Sequence, residues 1–311
     1  MAHESSPKIT LESSLKAIEI ENFLDRYFYR PIAFRIALLL RHTSVTPNMV
    51  TLLSIIVGVT AGIHFYFNDW QSNLIGVFLL IFANTLDCVD GQLARLTGIK
   101  SKIGRILDGF AGDLWFISIY LSISFRLMNE GWSPFILAIA IISGMSHSRQ
   151  ASIADYFKNL HLYFLKGAAG SEFDESAIIL SKYEQMPWKG NVIEKFFLFF
   201  YRHYTRSQEN MAPSVFKLRH LMAEKFPTVI PSKLANDFKS KAINVIQWMH
   251  ILAFNGRTPI LFVVVLLDVP ALYFGFEIVL LNLALILSIR HYGRISRSII
   301  QSIEAGVYEE R

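Results

Sequence analysis

The sequence predicts an all-α integral membrane protein. Of its 311 residues, 52% are hydrophobic and only 18% are charged, and its mean hydropathy of +0.37 is higher than soluble domains usually show. The apolar residues form runs close to the roughly 20 residues that an α-helix needs to cross a bilayer. The sequence therefore predicts six transmembrane helices, at 48–68, 72–96, 103–127, 133–154, 249–268 and 271–291.

Two amphipathic regions are predicted beside the spans. Residues 1–47 combine a soluble lead-in with a juxtamembrane helix, RPIAFRIALLLRH, in which arginines alternate with apolar residues as on an interfacial helix. Residues 155–248 separate spans 1–4 (48–154) from spans 5 and 6 with the basic tail (249–311). This segment has mixed charge and helix-period stretches between its Pro and Gly residues, and it predicts a helical cytoplasmic insertion.

Basic residues predict the orientation, because short cytoplasmic loops are enriched in Lys and Arg. The connection 95–105 holds four of them, whereas YFNDWQSN and DVPALYFGF hold none. Both termini and the residues near 95–105 are therefore predicted on the cytoplasmic side. The net charge of +5 indicates attraction to anionic lipid headgroups. Nucleic acid is not predicted as a partner, because the sequence has no stripe of arginine and aromatic residues outside the membrane pattern.

Four aspartates lie where membrane-spanning sequence is expected, in DCVDGQLARLTGIKSKIGRILDGFAGD at 87–113. Each ionised aspartate near the bilayer centre costs about 2.5 to 3.5 kcal/mol, so a partner or a water-filled cavity is required. Asp87 and Asp90 share one helix face, and antiparallel packing of the next span would bring its carboxylates close. A divalent cation fits such a cluster. Small residues and Arg95 beside it indicate a pyrophosphate-bearing ligand.

This segment resembles the signature of the CDP-alcohol phosphotransferase family, D-x-x-D-G-x-x-A-R, eight residues, G-x-x-x-D-x-x-x-D. The matching positions are Asp87, Asp90, Gly91, Ala94, Arg95, Gly104 and Asp108. The fourth aspartate of the family falls at Gly112, and Asp113 follows it one place later. In a regular helix Asp113 lies about 140° round from Asp108, so we expect a one-residue π-bulge in DGFAGD to restore its direction.

The resemblance implies transfer of a phosphatidyl group from CDP-diacylglycerol to a polar alcohol, with release of CMP. It implies Mg²⁺ or Mn²⁺ bound by a carboxylate set, with Asp113 also acting as the catalytic general base. The metal-binding set is Asp87, Asp90, Asp108 and Asp113. The implied CDP-binding set is Asp87, Gly91, Ala94, Arg95, Gly104 and Asp108. The resemblance also brings a homodimer into consideration.

Arginines in the later spans indicate the acceptor. Arg149, Arg257 and Arg290 would be costly in lipid, and facing the bundle interior with His147 they could bind a phosphorylated alcohol. This is similar to phosphatidylinositol-phosphate synthases. Alternatively, these arginines extend to headgroups or pair with acids of the insertion. Glu277 is expected near the outer end of its span, within reach of water.

Three other functions compete with this hypothesis. One is transfer from a soluble CDP-alcohol to a lipid acceptor, as in choline and ethanolamine phosphotransferases. Another is a transporter or proton relay, although such a protein predicts mid-span acids and inverted repeats that the sequence does not display. The third is a catalytically silent membrane scaffold, which the replacement of the fourth aspartate by Gly112 suggests.

Overall fold

The structure is a computed structural model that describes residues 10–14, 17, 20–99, 102–167, 170–171 and 173–308. Throughout these residues the regular structure is helical, which confirms the all-α prediction. The α-helices are α1 (Arg30–Leu40), α2 (Pro47–His64), α3 (Trp70–Thr97), α4 (Lys102–Asn129), α5 (Ile136–Lys166), α6 (Ser176–Gln185), α7 (Val192–Met211), α8 (Pro213–Lys225), α9 (Ser232–Met249), α10 (Phe254–Leu266), α11 (Ala271–Gly275) and α12 (Asn282–Glu304). Two π-helical segments, Asp25–Tyr29 and Phe276–Leu281, lead into α1 and α12.

Five helical segments of the described chain are long and apolar enough to cross a membrane. They are Pro47–His64, Trp70–Thr97, Gly109–Asn129, Ser232–Leu266 and Ala271–Glu304. Most of the predicted span 133–154 lies in α5, which is not one of the five and which carries His147 and Arg149 after its apolar start. The number six therefore stays a prediction, as does the surface position of α1.

The chain divides into two compact units. The first contains Met1–Gly144 and Leu261–Ala271, and the second contains Met145–Ile260 and Leu272–Arg311. The whole aspartate motif, 87–113, falls in the first unit. The inserted segment and α12 fall in the second.

Small residues allow α2 to approach α4 closely in the first unit. A Cβ atom added to Gly58 would lie 2.3 Å from the ring of buried Trp115, and one added to Gly62 would lie 2.9 Å from the backbone nitrogen of Ile119. The Ser118 hydroxyl donates to the carbonyl of Val59 across the same contact, at 2.9 Å. Glycines four apart commonly permit such packing between membrane helices. Helix α2 also packs against α3, so it positions both helices that carry the motif.

A buried arginine joins distant parts of the first unit at the end of α4. Arg126 is only 1% exposed, and its Nη2 donates to Asn68 at 2.7 Å and to the carboxylate of Asp268. Its Nε donates to Glu130 at 3.1 Å. Because an uncompensated buried charge is costly, these partners fix α4 relative to the α2–α3 and α10–α11 connections.

The inserted segment forms a helical part of the second unit. Helices α8 and α9 pack against α12, and α6 packs against α7. His161 of α5 lies 2.8 Å from the Tyr292 hydroxyl of α12, and Phe164 stacks on Phe238 of α9 with ring centroids 3.8 Å apart. Helix α5 therefore extends well beyond the predicted boundary at 154, and its end is part of the core of this unit.

We predict that Gly62→Val destabilises the protein by about 1–3 kcal/mol, because the added side chain would overlap the α4 backbone, which cannot rotate away. Thermal unfolding in detergent measures this effect. Gly112→Ala is the matched control, since a Cβ there meets nothing within 4 Å. Equal stability of the two variants would contradict the close α2–α4 packing.

Candidate active site

The first half of the motif lies on the last turns of α3, beside α2. Asp90 is only 4% exposed, and the Thr51 hydroxyl of α2 donates to its Oδ2 at 2.6 Å. The Pro47 carbonyl, 3.1 Å from the same hydroxyl oxygen, is a second and more distant acceptor for its single proton. Asp87, one turn earlier, is half-buried. A hydrogen bond from a neutral donor compensates part of the cost of burying the Asp90 carboxylate inside the bundle.

Arg95 lies across the bare backbone of Gly91. A Cβ atom at Gly91 would lie 3.4 Å from an Nη atom of Arg95, an ordinary contact distance, so the guanidinium lies next to the backbone of residue 91. Arg95 Nε also donates to the backbone carbonyl of Ser14. The described part of the N-terminal segment is thus in contact with the motif. Ile20 is also buried, at 1% exposure, and the soluble lead-in stays a prediction.

The second half of the motif lies on α4. Gly104 and Asp113 are half-buried, whereas the side chain of Asp108 lies outside the part of the chain that the structure describes. Helix α4 is α-helical from Lys102 to Asn129, so the expected π-bulge in DGFAGD is absent and that prediction is wrong. Position 113 therefore lies about 140° round the helix from position 108. Gly112, by contrast, follows the face of position 108 and has open space beside it.

The predicted metal site draws its ligands from both halves of the motif. Among the side chains that the structure describes, there is no group of three or more His, Cys, Asp or Glu residues suited to a metal ion. Asp108, one of the four predicted ligands, is not among those side chains. Asp87 and Asp90 are three residues apart on α3 and offer the hard oxygen ligands that Mg²⁺ prefers. The two residues fit a cation, and the four-aspartate set stays a prediction.

The predicted acceptor arginines have different environments in the second unit. Arg257 is 1% exposed and donates to Glu277 at 2.8 Å, to Nδ1 of His147 and to the carbonyl of Leu252. A guanidinium has no acceptor atom, so His147 accepts this bond as a neutral ring. Arg149 and Arg290 are both exposed. The structure thus brings His147 to Arg257, but it does not give the three arginines one shared environment.

The sequence did not predict Glu277 as the partner of Arg257. Glu277 is fully buried, with 0% exposure, in the π-helical segment Phe276–Leu281, so the expectation that it lies near water is wrong. The Glu277 carboxylate offsets the charge of Arg257. A purely structural ion pair would have the same arrangement. The signal in the sequence was one acid and one arginine in consecutive apolar spans, where an isolated charge would be costly.

The comparisons with known proteins concern the segment that carries the aspartate motif. Residues 44–158 match the family model of the CDP-alcohol phosphatidyltransferases, and all seven motif positions lie inside this match. The predicted family resemblance is therefore confirmed for this segment. A curated relative, the archaetidylinositol phosphate synthase of Pyrococcus horikoshii, is 33% identical over 115 residues. That alignment covers 37% of this chain and 59% of the relative, and most of the inserted segment and the last two spans lie outside the family match.

We predict that Arg257 and Glu277 act as one ion pair. Arg257→Met or Glu277→Leu alone should cost about 3–5 kcal/mol, because each leaves a buried charge without its partner. The double variant should cost clearly less than the sum of the two, and thermal unfolding of the four proteins in detergent measures the difference. Arg149→Met, at an exposed position, is the control. Additive costs would show that the two charges are not coupled.

Proposed function

We propose that this protein is a membrane phosphotransferase of phospholipid biosynthesis. It transfers a phosphatidyl group from CDP-diacylglycerol to a polar, phosphorylated alcohol and releases CMP. The observation that carries the proposal is the arrangement on α3 within the family-matching segment. Asp87 and Asp90 share a face, Asp90 is buried and bonded to Thr51, and Arg95 lies over Gly91.

The proposed roles follow from these positions. Arg95 and the bare surfaces of Gly91, Ala94 and Gly104 bind the CDP part, and the guanidinium is a suitable partner for the pyrophosphate. Asp87, Asp90 and Asp108 would hold a divalent cation, Mg²⁺ or Mn²⁺, whereas Asp113, predicted as the fourth ligand, lies on another face of the regular helix α4 from position 108. When bound, this cation neutralises the pyrophosphate and stabilises the departing CMP.

Asp113 is proposed as the general base. Its carboxylate takes the proton from the acceptor hydroxyl, whose oxygen forms a new bond to the lipid-linked phosphorus. The bond between this phosphorus and the CMP oxygen breaks, and CMP leaves with the electron pair. The regular helix turns Asp113 away from the direction of position 108, so the acceptor would have to approach from the Asp113 side.

The acceptor is proposed to be a polyol phosphate, such as inositol phosphate. The name of the Pyrococcus relative, an archaetidylinositol phosphate synthase, supports this class of product. Arg149, Arg257 and Arg290 are the proposed acceptor-binding residues in this chain. Arg257 is already bonded to Glu277, so exposed Arg149 and Arg290 have more unbalanced charge to offer a phosphate.

The proposed site faces the cytoplasm, as do both termini. The basic connection 95–105 supports this orientation, because it lies between the two halves of the aspartate motif. A homodimer is proposed as well, on the family resemblance alone.

A catalytically silent scaffold is the second candidate function. The regular α-helix through Gly112 and Asp113 favours it, because the carboxylate at 113 does not follow the face of position 108. Under this alternative the motif would be retained for binding a nucleotide lipid without turnover.

CMP release distinguishes the two candidates. The purified protein is incubated with CDP-diacylglycerol, Mg²⁺ and a panel of polyols and polyol phosphates, and the lipid product is identified by its mass. We expect turnover with a phosphorylated polyol that is lost on metal chelation and in Asp90→Asn. Asp113→Asn should lower the rate by about a hundredfold or more if it removes the base.

Two comparisons sharpen this experiment. In the double variant Gly112→Asp/Asp113→Asn the carboxylate moves to the family position, and the open space at Gly112 should accept it with activity regained. Full activity of Asp113→Asn at saturating Mg²⁺ would exclude Asp113 as the base. Folded protein that releases no CMP with any acceptor would instead support the scaffold.

A further inference from the structure

A cavity of about 350 Å³ lies in the second unit, between the start of α8 and the middle of α12. Its lining includes Pro213, Ser214, Arg290, Gly293, Arg294 and Arg297. This volume lies within the range of small-molecule sites, about 300–1,000 Å³. Helix α8 belongs to the inserted segment, which lies outside the family-matching residues 44–158. The cavity is therefore a feature that the family match does not account for.

Three arginines of α12 line one side of the cavity. Arg290, Arg294 and Arg297 are spaced i, i+4 and i+7, which places them on one helix face. All three are exposed, and no aspartate or glutamate is among the residues that line the cavity. Three like charges on one face repel one another unless an anion lies between them.

The arginines are poorly compensated within the protein. Arg297 donates to the Ser214 hydroxyl at 3.2 Å, a neutral group that leaves its charge in place. Arg290 and Arg294 have no hydrogen-bond or ion-pair partner among the described residues. By contrast, the guanidinium groups of Arg257 and Arg126 are each bonded to a carboxylate. Most guanidinium N–H groups of the cavity arginines are thus available to bind a ligand.

The start of α8 adds to the positive field. Pro213 is at the first turn of this 13-residue helix, and no side chain caps its N-terminus. The first-turn N–H groups and the helix dipole therefore favour negative charge at this end. They supplement the three guanidinium groups rather than define the site.

Gly293 leaves room for the ligand between the arginines. A Cβ atom added there would point toward Arg297 Nη1, at 3.5 Å, and toward the Ser214 hydroxyl, at 3.9 Å. Both distances are ordinary contacts, so the glycine is not required by close packing. Its effect is to keep the floor of the cavity open.

We propose that this cavity binds a phosphate-bearing anion, held by Arg290, Arg294 and Arg297 and by the first turn of α8. Guanidinium groups bind phosphate oxygens through paired, charge-assisted hydrogen bonds, and the cavity has room for a small polar body as well. The inserted segment then has a role, because α8 closes one side of the site. Arg290 also belongs to the proposed acceptor-binding set, so the inference extends that part of the proposed function, but its test is independent because the binding requires neither CDP-diacylglycerol nor turnover.

The phosphate can come from two sources with the same chemistry. One is a soluble phosphate monoester, and the other is the headgroup of an anionic phospholipid that reaches the arginines from the membrane. Inorganic phosphate represents the first source, and phosphatidic acid represents the second because its headgroup is also a phosphate monoester.

Binding to the full-length protein tests the site. In one arm, nanodiscs of pure phosphatidylcholine carry the protein, and equilibrium dialysis measures radiolabelled inorganic phosphate at fixed ionic strength. In the other, native mass spectrometry counts the phosphatidic acid retained from mixed phosphatidylcholine nanodiscs. Arg294→Gln/Arg297→Gln should weaken binding about tenfold or more in the arm that represents the true source.

Gly293→Leu tests the cavity without removing charge. The larger side chain would fill the space between Arg297 and Ser214, so it should weaken binding as well, while leucine maintains the helix. Arg206→Gln is the matched control, because Arg206 is exposed on α7 and does not line the cavity. Unchanged melting temperatures establish that the variants are folded.

Each outcome decides the proposal. Variant-sensitive binding of inorganic phosphate supports a soluble ligand, and variant-sensitive retention of phosphatidic acid supports a lipid headgroup. The proposal is overturned if neither probe binds the wild-type protein. It is also overturned if Arg206→Gln weakens binding as much as the cavity variants do, because the effect would then reflect net charge alone.

Discussion

Burial of the Asp90 carboxylate against α2 is the constraint on which the candidate site depends. A carboxylate at 4% exposure inside an apolar bundle needs a donor, and Thr51 supplies one. This contact requires α2 and α3 to be packed closely. The glycines at 58 and 62 then bring α4 to the other part of α2, so one helix sets the positions of both halves of the motif.

Other charged side chains of the described chain differ in whether they are balanced within the protein. Arg126 and Arg257 are almost fully buried, and each is bonded to a carboxylate, Asp268 in the first unit and Glu277 in the second. Each pair is explained by the need to balance a buried charge and requires no ligand. Among the described residues, the arginines of α12 that line the cavity have no such acid, so an anion from outside the protein could balance their charge. Arginines that are paired with an acid within the chain thus stabilise the fold, whereas arginines without such an acid can bind a ligand.

The sequence predicted features that depend on near neighbours along the chain. The all-α class and the shared face of Asp87 and Asp90 follow from composition and helical spacing, and both agree with the structure. Contacts between distant segments were predicted less completely, although His147 and Arg257 were expected together. The carbonyl of Ser14 on Arg95 involves a backbone group with no side-chain signal, and the pairing of Arg257 with Glu277 depends on how two helices pack. The expected π-bulge failed because a missing family aspartate does not by itself bend α4.

Direct binding of Mn²⁺ without substrates tests the central claim, that the buried Asp90 carboxylate is part of a cation site. Electron paramagnetic resonance of the full-length protein in detergent reports the fraction of Mn²⁺ that is bound. The account predicts saturable binding that is lost in Asp90→Asn and weakened about tenfold in Thr51→Val, with Thr60→Val on the exposed side of α2 as an unaffected control. Equal Mn²⁺ binding by the wild type and Asp90→Asn would contradict it.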